Sequence, residues 1–493
     1  MSIFTRHLRI AYFIIGCILV LPWINPYASF PIVEFTPWLM VLFCCVLILI
    51  CGDKINESLV IASWVVAAGI TALMGLLQYF FLAEALSPWL DQPNPGTAFG
   101  NLRQRNHFAT LTSIGLISII GWLAAHSVEK KMPWWVKYLA LLLALGNAAS
   151  NSRTGMLEWI LVVFLSGWWF YSTKKWLFAF ALKVMLIYLV AIFALPSLLE
   201  ILTGIRAEGL MGRLSGDPTC ESRTILWSNV LFLIAKKPWL GWGWGGLKYA
   251  HFAILFPEAR FCGAILGNAH NLPLQLAVTL GIPAAILACG GFIAFIFFSK
   301  PWCEINPVRQ VAWGVILVIL VHSMLEYPLW HGPFMLAFGL CFWILLRPRI
   351  YNKQSKSQVY NNFLHVVKII MTIALLAGCG ILTWEYHKMR QIYLPPSMRD
   401  FAYRENTLAK IRHSWIFSDR IRFAELSLTP LTLDNAQWTY DTATAMLHFS
   451  PEPMVIKKLI ESATILGYGD KALEMSIRFR IAFPIEYNHW AMN

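Results

Sequence analysis

Within the 493 residues, polar chemistry collects in the segment from Gly216 to Leu280, between two long apolar blocks. The segment opens with Asp217-Pro218-Thr219-Cys220-Glu221-Ser222-Arg223. It continues through the aromatic-glycine run Pro238-Trp239-Leu240-Gly241-Trp242-Gly243-Trp244-Gly245-Gly246 and closes with Gly267-Asn268-Ala269-His270-Asn271-Leu272-Pro273. Arg223 stands just before an apolar stretch, Ile225 to Ala235, that is too short to cross a bilayer and suits a helix lying at the interface. His270 begins the next apolar run. An arginine, a histidine and a flexible aromatic floor beside a membrane surface are residue types suited to holding a lipid-borne anion.

Three shorter stretches carry the same kinds of groups: Gly100-Asn101-Leu102-Arg103-Gln104-Arg105-Asn106-His107, Ser150-Asn151-Ser152-Arg153-Thr154-Gly155, and Glu326-Tyr327-Pro328-Leu329-Trp330-His331, the last preceded by His322 inside an apolar run. A bilayer makes such groups costly, at roughly 2.5 to 3.5 kcal/mol for an arginine at a helix centre on insertion scales. They should therefore face one another or a wet cavity. Each also has a plainer reading when taken alone: the arginines as headgroup-seeking side chains, the tryptophans and Tyr327 as an interfacial belt, His270 as a polar helix start. Their convergence on one face favours a site. No closely spaced Cys/His ligand set and no His-Glu-x-x-His helix occurs, so no metal is expected. Walker and Rossmann glycine patterns are missing as well, and neither a nucleotide nor another cofactor is expected.

These stretches must be positioned by membrane helices. Apolar residues make up 58% of the chain and charged residues 13%, and the mean hydropathy is +0.59, values unsuited to a soluble protein of this length. The net charge of +13 sits in short clusters between apolar runs, the pattern of membrane orientation rather than of nucleic-acid binding. The first run, Ile10 to Val20, follows Arg6 and Arg9 like a signal peptide, yet Leu21-Pro22-Trp23 offers no small-residue cleavage site, so it is read as a span. Further runs lie near residues 36 to 51, 58 to 83, 107 to 125, 134 to 150, 155 to 172, 176 to 199, 271 to 298, 309 to 325, 331 to 346 and 363 to 384. The expectation is an all-α, polytopic membrane protein with about eleven transmembrane helices. Its parts are residues 1–199 as N-terminal spans, 200–270 as a long periplasmic loop with an interfacial helix, 271–384 as C-terminal spans, and 385–493 as a periplasmic helical tail.

Orientation follows from the connections. Those carrying Arg6 and Arg9, Lys54, Lys130 and Lys131, Lys174 and Lys175, Lys300 and Arg309, and Arg347 to Lys356 alternate with connections nearly free of Lys and Arg. The positive-inside rule then makes the N-terminus cytoplasmic and puts the Arg223–His270 segment and the tail on the far face. There Cys220 and Cys262 stand alone in an oxidising compartment and are expected to pair. In the tail, apolar residues recur at helical spacing in Ala436 to Phe449, Glu452 to Gly467 and Asp470 to Ala482, which suits either a cap or a docking module for an acceptor.

Asn101-Leu102-Arg103-Gln104-Arg105-Asn106-His107, Ser152-Arg153-Thr154-Gly155, Ser222-Arg223 with Trp227, Pro238 to Gly243, Ala269-His270-Asn271 with Gly281, and His322 to Pro328 occur in the order seen in bacterial protein O-oligosaccharyltransferases. The chain resembles these PglL-type pilin glycosylation ligases of the O-antigen ligase and polymerase superfamily over nearly its whole length. Arg105 departs from the proline common at that position. The resemblance implies a metal-independent glycosyltransferase of the bacterial inner membrane, with its active site on the periplasmic face. It would move an oligosaccharide from undecaprenyl diphosphate to a Ser or Thr of an exported protein such as a type IV pilin, with inversion. Its partners would be the lipid-linked glycan, the acceptor protein and membrane lipid, without nucleic acid.

The resemblance further implies that the residues matching His270, Gln104 and Tyr327 are needed for activity. Chemistry assigns His270 as the base and Arg223 as the group that stabilises the departing diphosphate, with Arg153 and Arg103 behind it. Gln104, Tyr327, Asn271 and His322 complete the substrate-binding set. An O-antigen ligase acting on a lipid A core, or an O-antigen polymerase, would share the donor half of this site. A flippase of lipid-linked sugars would instead carry polar residues through the membrane middle.

Overall fold

Long apolar runs form long helices because the backbone must satisfy its own hydrogen bonds in lipid. In the computed structural model of the chain, the described residues are 3–25, 31, 32, 34–51, 55–126, 132–207, 209, 210, 223–256, 265–347 and 358–492. They are α-helices, 3-10 turns and connections, with no β-strand among them. The first seven α-helices are α1 (Ile3–Ile24), α2 (Phe35–Cys51), α3 (Glu57–Tyr79), α4 (Arg105–His126), α5 (Trp134–Ala149), α6 (Arg153–Phe170) and α7 (Lys175–Thr203). After α8 (Arg223–Lys236) and α9 (Leu247–Ala253) come α10 (Leu272–Leu280), α11 (Ile282–Ser299), α12 (Pro307–Ser323), α13 (Gly332–Leu346) and α14 (Gln358–Tyr393). The tail adds α15 (Thr407–Ile411), α16 (Ser418–Leu428), α17 (Ala436–Phe449), α18 (Pro453–Ile465), α19 (Gly469–Ala482) and α20 (Pro484–Ala491).

Among the described residues, Glu57–Tyr79, Arg105–His126, Lys175–Thr203, Ile282–Cys303 and His365–Tyr393 are long and apolar enough to cross a membrane. Shorter apolar helices fill Ile10–Ile24, Phe35–Cys51, Trp134–Ala149, Pro307–Ser323 and Gly332–Leu346. The run from 271 to 298, read as one span, is two helices broken at Gly281. That residue has φ +91, and a Cβ there would lie 2.0 Å from the Trp239 carbonyl oxygen. The backbone of the aromatic-glycine run presses on the helix at that point, so only glycine fits.

The chain divides into two compact units, residues 1–216 with 296–379, and residues 217–295 with 380–493. In the first, α4 is the central helix, packed against α3, α5, α6 and α12. Close approach depends on small residues, as in many membrane bundles: a Cβ added at Gly121 would sit 2.0 Å from Val311 Cγ2, and one at Gly75 would sit 2.4 Å from the Phe108 ring. Consequently the polar residues of α4 face protein. His107, Thr110, Thr112, Ser113 and Ser118 are all buried.

The second unit holds two cores. One joins Val230 and Leu233 of α8 to Leu247 and Ala250 of α9, with Ala269 and Val278. The other is made by the tail helices, with Leu426, Ala443, Leu447, Val455, Leu459 and Phe479 at its centre, and it also takes in Phe252 of α9. The three tail helices fall where the apolar spacing placed them, at 436–449, 453–465 and 469–482. Cys220 and Cys262 lie outside the described residues, so their pairing has no structural counterpart here.

Candidate functional site

In the first unit the three donor-rich stretches do face one another, and Asn106 joins them. Its Oδ1 accepts from the Ser152 hydroxyl at 2.7 Å, and its Nδ2 donates to Glu326 Oε1 at 3.3 Å. Ser152 also caps α6 by accepting from the Gly155 amide at 3.0 Å, the ordinary task of a serine at that position. Arg153, the first residue of α6, is exposed. A residue that sequence reasoning passed over, Gln78, fixes the loop ahead of α4. Its fully buried amide donates to the carbonyls of Asp91 (2.9 Å) and Gly100 (3.0 Å), and it accepts from the amides of Phe99 (3.0 Å) and Gly100 (2.7 Å).

The first and third stretches also line a cavity of ≈ 230 Å³ whose wall includes Glu34, Arg103, Gln104, His107, Tyr327 and His331. Arg103 and Gln104 of one stretch and Tyr327 of another thus share one wall. Arg103 adopts a left-handed backbone (φ +58) and forms an ion pair with Asp91 at 2.6 Å. The His107 and His331 rings meet edge to face at 3.9 Å, and Tyr327 stacks on His331 at 5.7 Å. Burial lowers the His331 pKa below the ordinary imidazole value, although Glu34 and Glu326 pull it upward. Burial, reinforced by Glu326 and Glu34, raises that of Tyr327. Both groups are therefore neutral hydrogen-bonding partners at neutral pH.

His322 is fully buried and is not part of the cavity wall. Its Nδ1 lies 2.7 Å from the Thr110 hydroxyl, which is 2.6 Å from Glu158 Oε1, while Ser113 donates to Glu158 Oε2 at 2.8 Å. Glu158 was missed from the sequence. The available signal was a single carboxylate within the apolar helix Met156 to Phe164, and such a group within a span is by default a functional or bundle-organising one.

The second unit contains Arg223, His270 and Asn271. Arg223 is the first residue of α8, and both Arg223 and His270 are half-buried. His270 has φ +50, a costly conformation for a side-chain-bearing residue that the surroundings must impose. They do so from both sides. Trp227 Nε1 donates to the Ala269 carbonyl at 3.1 Å, buried Gln275 accepts from the Ala269 amide at 2.7 Å, and Asn268 accepts from the His270 amide at 2.8 Å. Asn271 caps α10 by accepting from the Leu274 amide at 3.1 Å. The aromatic-glycine run closes on the far end of α10, where Trp242 and Gly243 donate to the carbonyls of Val278 and Thr279, each at 2.9 Å. Trp227 and Gln275 are therefore the residues that hold the histidine loop. Among the described residues, no group of three or more His, Cys, Asp or Glu side chains is arranged to hold a metal ion.

Three family models match the chain in order. Residues 98–124 match a protein glycosylation ligase model, residues 138–289 an O-antigen ligase model, and residues 310–493 the C-terminal model of virulence factor membrane-bound polymerases. Two relatives come from Acinetobacter baylyi (strain ATCC 33305 / BD413 / ADP1). A general O-oligosaccharyltransferase is 25% identical over 288 residues, covering 55% of this chain and 47% of the relative. A ComP-specific O-oligosaccharyltransferase is 22% identical over 304 residues, covering 59% of this chain and 52% of the relative. The chain spans about half the length of the curated relatives it matches. These matches bear out the resemblance to O-oligosaccharyltransferases read from the motifs.

Proposed function

We propose that the chain is an O-oligosaccharyltransferase that moves a glycan from an undecaprenyl-diphosphate carrier to a Ser or Thr hydroxyl of an exported protein such as a pilin. The observation that carries this reading is the shared cavity wall of Arg103, Gln104 and Tyr327; the resemblance gave a role to Gln104 and Tyr327, and the chemistry of a diphosphate gave one to Arg103. In the reaction, the acceptor hydroxyl attacks the anomeric carbon directly and the bond to the diphosphate oxygen breaks, so the configuration inverts. His270 accepts the hydroxyl proton, a contribution of roughly a hundred- to ten-thousandfold for a well-placed base. Its loop, clamped by Trp227 and Gln275, supplies the fixed orientation that such transfer needs. Arg223 stabilises the charge gathering on the departing diphosphate, which a guanidinium binds with two parallel donors. Arg153, exposed at the start of α6, is the second cation for that group.

The test is donor binding and glycan transfer by the full chain reconstituted in lipid. His270→Ala should bind donor and fail to transfer it. Arg223→Ala should lose both, and Arg223→Lys should recover only part, since lysine keeps the charge without the fork. Transfer by His270→Ala at the parental rate would remove the base from this histidine. An O-antigen ligase or polymerase is the second reading, favoured by the matches at 138–289 and 310–493. Intact masses of the major pilin, with and without the protein in cells, separate the two.

A further inference from the structure

Among the described residues, the cavity wall carries three polar atoms that the protein itself does not satisfy. Asn25 Oδ1, Gln104 Oε1 and His107 Nε2 are buried and have no hydrogen-bond partner, and His107 is only 1% exposed. Buried polar atoms are nearly always paired, so three orphans on one cavity wall point to a ligand that completes them. We propose that this cavity receives a neutral, hydroxyl-rich ring, the sugar that adjoins the diphosphate in the donor, and that the diphosphate itself is held elsewhere. This rests on the transferase reading above and goes beyond it by assigning one part of the donor to one place.

Charge argues first. Among the described residues, the one guanidinium on the wall is Arg103, which is already paired with Asp91 at 2.6 Å. Glu34 belongs to the wall, and Glu326 is near enough to act on Tyr327 and His331. A diphosphate would bring further negative charge beside these carboxylates, where like charges repel. Hydrogen-bond valence agrees. Gln104 Oε1 is an acceptor and needs a donor, which a diphosphate lacks and each sugar hydroxyl provides; His107 Nε2 takes either role according to tautomer. Size agrees as well. At ≈ 230 Å³ the cavity is smaller than the roughly 300–1,000 Å³ typical of sites for drug-sized ligands. It suits one ring, whereas the single hydroxyl of a Ser or Thr side chain would leave most of the wall unpaired.

The experiment measures binding of two probes to the purified full chain in lipid nanodiscs: a polyprenyl diphosphate bearing one N-acetylhexosamine, and the same polyprenyl diphosphate without sugar. Gln104→Met removes the acceptor at similar length and should weaken the sugar-bearing probe by about three- to tenfold, the value of one hydrogen bond. The sugarless probe should change by less than about twofold. Gln104→Glu keeps the acceptor while adding negative charge, so the sugar-bearing probe should still bind within about threefold of parental. Equal and large weakening of both probes by Gln104→Glu would place the diphosphate in the cavity and overturn the assignment. Unchanged binding of both probes by Gln104→Met, combined with lost transfer, would give the cavity to the acceptor and overturn it too. Binding of neither probe by the parental protein would instead overturn the transferase reading, and this assignment with it.

Discussion

His251 shows how a single residue ties stability to pH. Burial lowers its pKa from 6.5 to about 4, and its Nε2 lies 3.3 Å from Asn229 Nδ2, a geometry in which the neutral ring accepts. The unfolded chain binds a proton that the folded chain refuses between about pH 6.5 and pH 4. Stability contributed by the neutral ring is therefore fully present above pH 6.5 and is lost as pH falls through that window. Thermal unfolding of purified protein should show a falling midpoint from pH 7 to pH 5, and His251→Gln should flatten that slope; an unchanged slope would assign it to other groups. Glu158 provides a second case. Thr110→Val removes one of the two hydroxyls on its carboxyl group and should cost roughly 1–3 kcal/mol, since a buried polar oxygen loses its partner. Thermal unfolding in detergent measures this. Glu158 could have been seen in the sequence as a carboxylate within an apolar helix. Gln78 could not, because its importance comes from the backbone of residues 91–100 folding around it, and no local pattern announces that.

The short helix α9 gives the tail a role that composition did not reveal. Leu247 and Ala250 belong to the core behind the histidine loop, whereas Phe252, 3% exposed, belongs to the tail core, with Tyr249 and Ile265 packed against it. Tyr249 also stacks on His448 of α17 at 3.7 Å. Ile265 joins the tail core while its neighbour Leu266 packs against the loop core, so two separate segments lead from the tail helices toward His270. A helix gripped on opposite sides transmits disorder from either side. Deleting residues 435–493 should therefore abolish transfer to a small peptide and to a folded acceptor alike, rather than sparing the peptide as a pure docking module would. Phe252→Ala should cost roughly 3–5 kcal/mol and raise hydrogen exchange in residues 266–272, while Phe252→Leu largely restores protection. Unchanged exchange at 266–272 would mean the two cores are independent. Apolar spacing made the tail helices themselves legible, because each buries one stripe. The sharing of α9 was not, since seven residues are too few to show two faces, and the break at Gly281 depends on a carbonyl from a distant loop.

Along the chain as a whole, basic connections alternate with others that hold few Lys or Arg outside Arg103, Arg105, Arg153 and the long central loop, and this alternation predicts an orientation that helix packing leaves open. A basic connection resists translocation, so the expectation is that the clusters at Arg6 and Arg9, at Lys130 and Lys131, at Lys300 and Arg309, and from Arg347 to Lys356 lie on the cytoplasmic side, and Arg103, Arg153 and Arg223 on the opposite one. Arg103 is paired with Asp91 outside any helix, so its charge is met locally. Reporter fusions at Lys130, Lys300 and Lys353 should read cytoplasmic, and fusions near Gly246 and Gly467 should read periplasmic. The pair Lys300 and Gly246 is the informative one, since α10 and α11, broken at Gly281, are all that separates the histidine loop from the basic cluster. Of the two, α11 alone contributes to a helix long and apolar enough to cross, and α10 supplies nine residues, about half of what crossing requires. If α10 lies at the interface and α11 crosses, a fusion at Leu280 reads periplasmic like Gly246; if the two cross together, the same fusion falls within the membrane and gives neither signal. Identical readings at Gly246 and Lys300 would mean that α11 does not cross, and the assignment of the His270 loop to the far face would fail with it.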